Sequence, residues 1–266
     1  MPEGDTVHQL ASFLGPALRE CALSRVWVRG QVRPELSGRR VAAVQSQGKH
    51  LYVRLEGGVC LRSHLGLYGS WHRYRQSEPW SRPERQADLV LETDAWIYVC
   101  FNAKELELMR SQGFERRDQS QRLGPDLIRE GFEVERLMAR AWALRPPDTP
   151  VVDLLLDQRV ACGIGNVYKS EVLFLARCSP LASLAELSTA DFAALYGTAA
   201  RLLRANLAGG PRITRPIPDG RGPLWVYGRA ERPCLVCGTV LRRAPLGRRP
   251  RSTYWCPACQ ATHHLG

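Results

Sequence analysis

A proline followed by a carboxylate, Pro2-Glu3, stands directly behind the initiator methionine. Removal of Met1 would leave Pro2 with a secondary amine at the chain terminus. An α-amino group titrates near pH ~8, against ~10.4 for a lysine side chain. A useful fraction is therefore neutral and nucleophilic without burial. Such an amine attacks a carbonyl-type carbon to form a Schiff base, and Glu3 beside it could give or take the proton. Many chains begin Met-Pro with no such chemistry, so the pair alone decides little. A second constellation lies at the other end. Cys234-Leu-Val-Cys237 and Cys256-Pro-Ala-Cys259 are two C-x-x-C pairs with 18 residues between them. Knuckles at this spacing predict a tetrahedral four-thiolate zinc site, closed and therefore structural. A redox dithiol or a disulfide pair would need the same residues. It is disfavoured because two matched pairs share one short segment and no secretory signal is read at the start. His263 and His264 lie near enough to compete as ligands, but four thiols fill the shell, so both are expected to be tail residues.

The basic residues are 34 arginines and only three lysines, Lys49, Lys104 and Lys169. A lysine is a compact donor that can pass a proton, which arginine effectively cannot. Where arginine is habitual, each retained lysine marks a place to ask what arginine could not do, although surface lysines also persist by chance.

These residues need elements to hold them. Val7, Leu10, Ala11 and Leu14 recur at helical spacing, which predicts a helix capped by Asp5 or Thr6 and stopped at Gly15-Pro16. Its positive end would face Pro2, favouring the neutral amine and any nearby phosphate. Short β-prone runs follow at 23–28, 40–46, 51–55, 59–62, 89–92 and 96–101, separated by turns such as Glu56-Gly57-Gly58. They predict an antiparallel β-sandwich or barrel. From about Asp126 the pattern turns helical, with Pro146-Pro147 and Pro150 as a break. Helices are expected over 153–161, 167–176 and 191–207, the last opened by a Ser188–Asp191 capping box and ended by Gly209-Gly210-Pro211. Gly163-Ile164-Gly165-Asn166 would then be a tight turn between two helices. Its amides and the following helix N-terminus suit phosphates, and an ordinary α-hairpin suits the same residues. Between the cysteine pairs, 239–243 and 252–255 predict a hairpin broken by Pro245, Gly247 and Pro250.

The 266-residue chain carries a formal charge of +11. Ten arginines between Arg212 and Arg251 face only Asp219 and Glu231. Such an excess is the footprint of a protein that meets a phosphate backbone, although a solvated basic face has the same composition. No hydrophobic run approaches the ~18 residues of a membrane span. Cys21, Cys60, Cys100, Cys162 and Cys178 sit among apolar residues and read as buried thiols, which fits a reducing cytoplasm.

The combination of Met-Pro-Glu-Gly, Gly48-Lys49, Ser63-His64-Leu65-Gly66-Leu67-Tyr68-Gly69, the Gly163–Asn166 turn, Val226-Tyr227-Gly228-Arg229 and Arg251-Ser-Thr-Tyr-Trp-Cys256-Pro-Ala-Cys259-Gln260 runs almost end to end. It resembles the formamidopyrimidine-DNA glycosylase and endonuclease VIII family of base-excision repair enzymes, on its endonuclease VIII side. The resemblance implies an α+β fold. An N-terminal antiparallel β-sandwich with a leading helix (1–112) would precede a helical helix-two-turn-helix domain (113–222) and a zinc-finger hairpin (223–266). It implies catalysis by Pro2, Glu3 and Lys49. DNA contacts would come from Asn166, Arg229 and Arg251, and Leu67 and Tyr68 would fill the hole left by an extruded nucleotide. One structural Zn2+ would sit on Cys234, Cys237, Cys256 and Cys259. The implied substrate is damaged double- or single-stranded DNA, with oxidised pyrimidines favoured. The implied protein is a monomer with no membrane partner, cytoplasmic or nucleoid-associated. Thr6 departs from the family, which often carries a further carboxylate there. A damaged-DNA binder without catalysis and an RNA-binding zinc protein are the competing classes.

Overall fold

The structure, a computed structural model, describes residues 2–110, 123–129 and 131–261. The expected boundary at 112/113 and the residues His263 and His264 lie outside them. The chain divides into two compact units, 1–119 and 120–266.

The first unit opens with helix α1, Gly4–Leu18. Two expectations for it need correction. Asp5 and Thr6 do not cap it, because the ladder already starts at Glu3, whose carbonyl accepts from Val7 N at 3.1 Å. Pro16 does not stop it either. One missing N–H in the last turn is offset by burying Leu14 and Leu18 one turn apart, each worth about 1.5–3 kcal/mol. Arg19 N donates to Gly15 O and closes the helix.

Among the described residues nine strands follow: β1 (Arg25–Val28), β2 (Gln31–Val32), β3 (Val41–Gln47), β4 (His50–Leu55), β5 (Val59–His64), β6 (Ser70–Arg75), β7 (Ala87–Glu92), β8 (Trp96–Phe101) and β9 (Glu105–Arg110). They form a five-stranded sheet ordered β2-β1-β7-β8-β6 and a four-stranded sheet ordered β3-β4-β5-β9, with antiparallel pairing throughout. Strands β2, β6 and β9 are additions to the sequence expectation. One core joins both sheets to α1: Val26, Leu89 and Leu91 from the first, Leu51, Val53 and Leu61 from the second, Val7, Leu14 and Leu18 from the helix. That shared core makes the unit a sandwich. Strands β3 and β4 meet in the two-residue turn Gly48-Lys49. Gly48 supplies the left-handed backbone (φ +53°) the turn needs.

The second unit holds helices α2 (Val134–Leu144), α3 (Val151–Leu156), α4 (Asn166–Leu175) and α5 (Thr189–Ala205). Helix α3 ends well short of the expected Ala161. The Asp157 carboxylate accepts from Arg159 N and Nε, each at 3.0 Å, and from Arg145 Nε at 2.6 Å. Local bonding of this kind draws the chain out of the helix. The capping box on α5 is present as expected: Asp191 N donates to Ser188 Oγ, and Ser188 N to the Asp191 carboxylate. Helix α4 is buried on every side from Asn166 to Phe174, including Lys169, Ser170 and Glu171. Polar groups so placed must be bonded. Glu171 accepts from the backbone N–H groups of Trp225 (2.9 Å), Val226 (2.9 Å) and Tyr227 (2.8 Å), and from the Thr214 hydroxyl. One carboxylate thereby organises the segment from Thr214 to Tyr227, which has neither helix nor strand.

Strands β10 (Arg242–Leu246) and β11 (Arg251–Trp255) make the C-terminal hairpin. Pro245 does not break β10 as expected. It pairs in register with Ser252, because each strand of a two-stranded sheet is an edge and has N–H positions the ladder does not use. The hairpin turn is held down on the same unit. Arg248 N donates to Asp153 Oδ2 at 2.6 Å, and the Arg248 guanidinium pairs with Asp148 at 2.8 Å. A Cβ on Gly247 would meet the Asp153 carboxylate. Among the described residues no helix is long and apolar enough to cross a membrane. Of the five remaining cysteines, Cys60, Cys100 and Cys162 are buried, while Cys21 and Cys178 are partly exposed.

Candidate active site and nucleic-acid interface

Pro2 is partly exposed immediately ahead of α1, while Glu3 at the N-cap is fully buried. Asp5 is buried too, and the Thr6 hydroxyl donates to its Oδ1 at 3.2 Å. The helix start therefore sets a partly exposed Pro2 beside enclosed carboxylates.

Lys49 lies in the β3–β4 turn next to a cluster the sequence reading left out. His50 opens β4 and His64 closes β5; they are register partners, with ring centroids 4.9 Å apart. Arg62, only 2 % exposed, donates from Nη1 to His50 Nδ1 at 2.8 Å and pairs with Glu107 at 2.6 Å and Glu105 at 3.3 Å. A guanidinium only donates, so His50 Nδ1 carries no proton. Burial, aided by the charge of His64, holds the His50 imidazole down to about 3. Burial also lowers His64, to about 4, against the opposing pull of Glu105. Lys49 and Lys104 press in the same direction on both rings. Two uncharged imidazoles thus sit beside Lys49, Arg62 and Lys104 and the carboxylates of Glu105 and Glu107, which leaves one positive charge in excess. Hairpin arithmetic could have found the pair: the short turn after Leu55 sets Leu55 opposite Val59, and counting back sets His50 opposite His64.

Leu67 and Tyr68 occupy the turn between β5 and β6, 46 % and 78 % exposed. They are not sheet core. Gly66 supplies a left-handed φ of +63°, Gly69 N donates to Leu65 O at 3.0 Å, and Arg82 Nη1 donates to Tyr68 O at 3.3 Å. The loop lines a shallow pocket of about 600 Å³ shared with Arg82, Gln86 and Asn102.

In the second unit, Asn166 begins α4 after the Gly163–Gly165 turn. Gln158 ties that turn down, accepting from Gly163 N at 3.1 Å and donating to Ile164 O at 3.0 Å. The Asn166 carboxamide donates to Ser252 O at 2.9 Å, which sets it against β11 beside the exposed Arg251. Arg229 is placed differently. It is nearly buried, and Nη1 and Nη2 donate to the carbonyls of Trp225 (2.5 Å) and Pro233 (3.0 Å). Burial, with Arg232 nearby, lowers its proton affinity.

Residues 1–114 match the formamidopyrimidine-DNA glycosylase N-terminal domain, and residues 123–216 match the formamidopyrimidine-DNA glycosylase H2TH domain. The chain is 41 % identical over 267 residues to a protein of Streptomyces coelicolor named probable endonuclease 8 2, covering 98 % of this chain and 94 % of that one. It is 37 % identical over 262 residues to the DNA-(apurinic or apyrimidinic site) lyase Nei2 of Mycolicibacterium smegmatis, covering 98 % and 99 %. The chain belongs to the formamidopyrimidine-DNA glycosylase and endonuclease VIII family. Its fold is that of the Lactococcus lactis formamidopyrimidine-DNA glycosylase seen non-covalently bound to AP-site-containing DNA. The TM-score is 0.83 at 20 % identity, over 97 % of this chain and 99 % of that one.

Within this family fold, Cys234, Cys237, Cys256 and Cys259 bring their sulfurs within 4.8 Å of one another, a group able to hold a metal ion. A tetrahedral ion with thiolate bonds of about 2.3 Å needs sulfurs about 3.8 Å apart, which this span accommodates. The knuckles also aim amides at sulfur, as a thiolate requires: Val236 N donates to Cys234 Sγ at 3.5 Å and Cys259 N to Cys256 Sγ at 3.4 Å. Cys234 and Cys256 pack with Phe174, Val226 and Leu241. Gln260 anchors the second knuckle, accepting from Cys256 N and donating to Cys178 O, both at 2.9 Å.

Proposed function

We propose that this protein is a bifunctional DNA glycosylase and AP lyase of base-excision repair. It acts on damaged DNA, double- or single-stranded, and removes oxidised bases, pyrimidines foremost. The observation that carries the proposal is the partly exposed Pro2 set directly beside the buried Glu3 at the start of α1. Freed of Met1, the Pro2 nitrogen attacks C1′ of the damaged nucleotide. The C1′–base bond breaks, and the base leaves with its electron pair and takes up a proton. Glu3 supplies the acid that opens or protonates the sugar. The iminium left on Pro2 makes the C2′ hydrogens acidic. Loss of one expels the 3′ phosphate, and a second elimination expels the 5′ phosphate. Lys49, in the electropositive corner with His50 and His64, stabilises the sugar and phosphates as charge moves.

Leu67 and Tyr68 fill the space left by the extruded nucleotide. Their exposure on a pinned loop supports this role, since flipping forfeits a few kcal/mol of stacking. Asn166 and Arg251 hold phosphates. Arg229 contributes indirectly, by fixing the carbonyls at the entry to the finger. The four cysteines hold one structural Zn2+. The working divisions are 1–112, 113–222 and 223–266, the working form is a monomer, and the site of action is the cytoplasm.

Borohydride trapping on a duplex with one abasic site tests the chemistry. A covalent adduct mapped to Pro2 by mass spectrometry, and lost in Pro2→Gly while DNA binding persists, is the expected result. A chain that lacks Met1, binds DNA and gives no adduct would instead be a damaged-DNA binder without catalysis.

A further inference from the structure

Lys169 is one of three lysines against 34 arginines, and it is fully buried. A charged group is not enclosed without a bonded use. Its Nζ donates to Asn166 Oδ1 at 2.7 Å and to Ser252 O at 3.4 Å. Asn166 donates from Nδ2 to that same Ser252 carbonyl at 2.9 Å. The geometry points to Lys169 as the positioning residue for the phosphate-holding face of this unit. It sets the orientation of the Asn166 carboxamide and ties it to β11 next to Arg251. This rests on the assignment of Asn166 to phosphate made above.

The reason is chemical. An asparagine carboxamide has nearly the same shape either way round, and only its neighbours decide which end carries the oxygen. Against an anionic phosphate the choice matters: the NH2 end attracts and the oxygen end repels. An ammonium has donors only, so the end facing Lys169 must be the oxygen. The NH2 end then points to Ser252 O, where one hydrogen is spent on the strand that carries Arg251. The Ser252 hydroxyl is meanwhile held by Arg243 Nε at 3.3 Å and Nη2 at 3.0 Å, so the carbonyl that receives both Asn166 and Lys169 sits on a fixed strand. Arginine would be a poor substitute. Its planar fork is larger than an ammonium and needs in-plane partners, whereas here a compact donor reaches a side-chain oxygen and a carbonyl from within a closed helix face. The i, i+3 spacing of Asn166 and Lys169 on α4 sets the pair on neighbouring turns.

A double-mutant cycle on binding to a duplex carrying a tetrahydrofuran abasic analogue tests this. N166A and K169M should each weaken Kd about tenfold, and the double variant should be no weaker than either single one. Additive losses would mean that Lys169 acts through the fold, and the inference would fall. If K169M loses its metal or its thermal transition, K169Q takes its place in the same cycle. The free protein gives an independent reading by 15N NMR. The Asn166 side-chain amide should show one pair of signals protected from solvent exchange in the unaltered chain, and a second pair or lost protection in K169M. An unprotected pair in the unaltered chain, or no change in K169M, would overturn the positioning role. An N166A variant that binds with undiminished Kd, while K169M still alters the amide signals, would remove Asn166 from phosphate binding and leave the Lys169–Asn166 coupling standing.

Discussion

Burial and Arg62 together keep His50 uncharged, and this gives stability a pH dependence. An unfolded histidine titrates near ~6.5, while His50 in the folded chain titrates at about 3 and His64 at about 4. Between those values the unfolded chain binds more protons, so stability rises with pH. The contribution is complete above pH ~6.5 and is lost as pH falls toward about 4 and then 3. For His50 alone the loss by about pH 4.5 is about 3 kcal/mol. Urea unfolding across this range should show a steep acid slope, and His50→Gln should flatten it by that amount. An identical slope in the variant would mean that His50 is already protonated when folded. Both histidines stand in plain sight in the sequence, but their burial and the guanidinium bonded to His50 come from strand pairing and cannot be read from residue type.

Helix α4 shows how one element can organise a stretch that has no regular structure. Glu171 receives three consecutive backbone amides and a hydroxyl from the 214–227 segment. Glu171→Gln keeps the shape but turns an NH2 group toward those donors. The expected cost is about 2–4 kcal/mol, read as a lower melting temperature and as new proteolytic cleavage between Arg212 and Gly228. Cleavage unchanged from the parent chain would show that the segment holds itself. What was legible at this scale was local. The Ser188–Asp191 box and the glycines before Asn166 act within a few residues, and both stand where expected. What was not legible depended on distant partners. Helix α1 runs past Pro16 because Leu18 has a core to enter. Glu105-Leu-Glu-Leu becomes β9 because β5 offers it an edge. Pro245 stays in a strand because no further strand needs its amide.

At the scale of the molecule, the four-cysteine group closes a small core of its own, in which Cys256 is fully buried beside Phe174, Val226 and Leu241. A structural zinc site contributes its binding free energy to folding. Metal removal by a chelator, or Cys256→Ser, should therefore loosen residues 226–260 and weaken DNA affinity at least about tenfold. The His50 titration in the first unit should stay unchanged. A retained affinity after verified metal loss would show that the thiols fold without an ion. The convergence of the four cysteines was legible because holding a metal demands fixed residue types at fixed spacings. The docking of the finger was not, since it depends on Asp148 and Asp153, roughly a hundred residues upstream of Arg248. That docking also limits how the molecule can be reshuffled. A Cβ at Gly247 would run into the Asp153 carboxylate, and the Gly247-Arg248 turn is bonded to side chains at the start of α3 and in the residues before it. A finger copied alone into another helical scaffold would bring its thiols and leave behind its anchorage. A chimera with a relative should keep the finger's full thermal stability only when residues 148–153 and 247–248 come from the same parent, because each supplies the other's bonding partners.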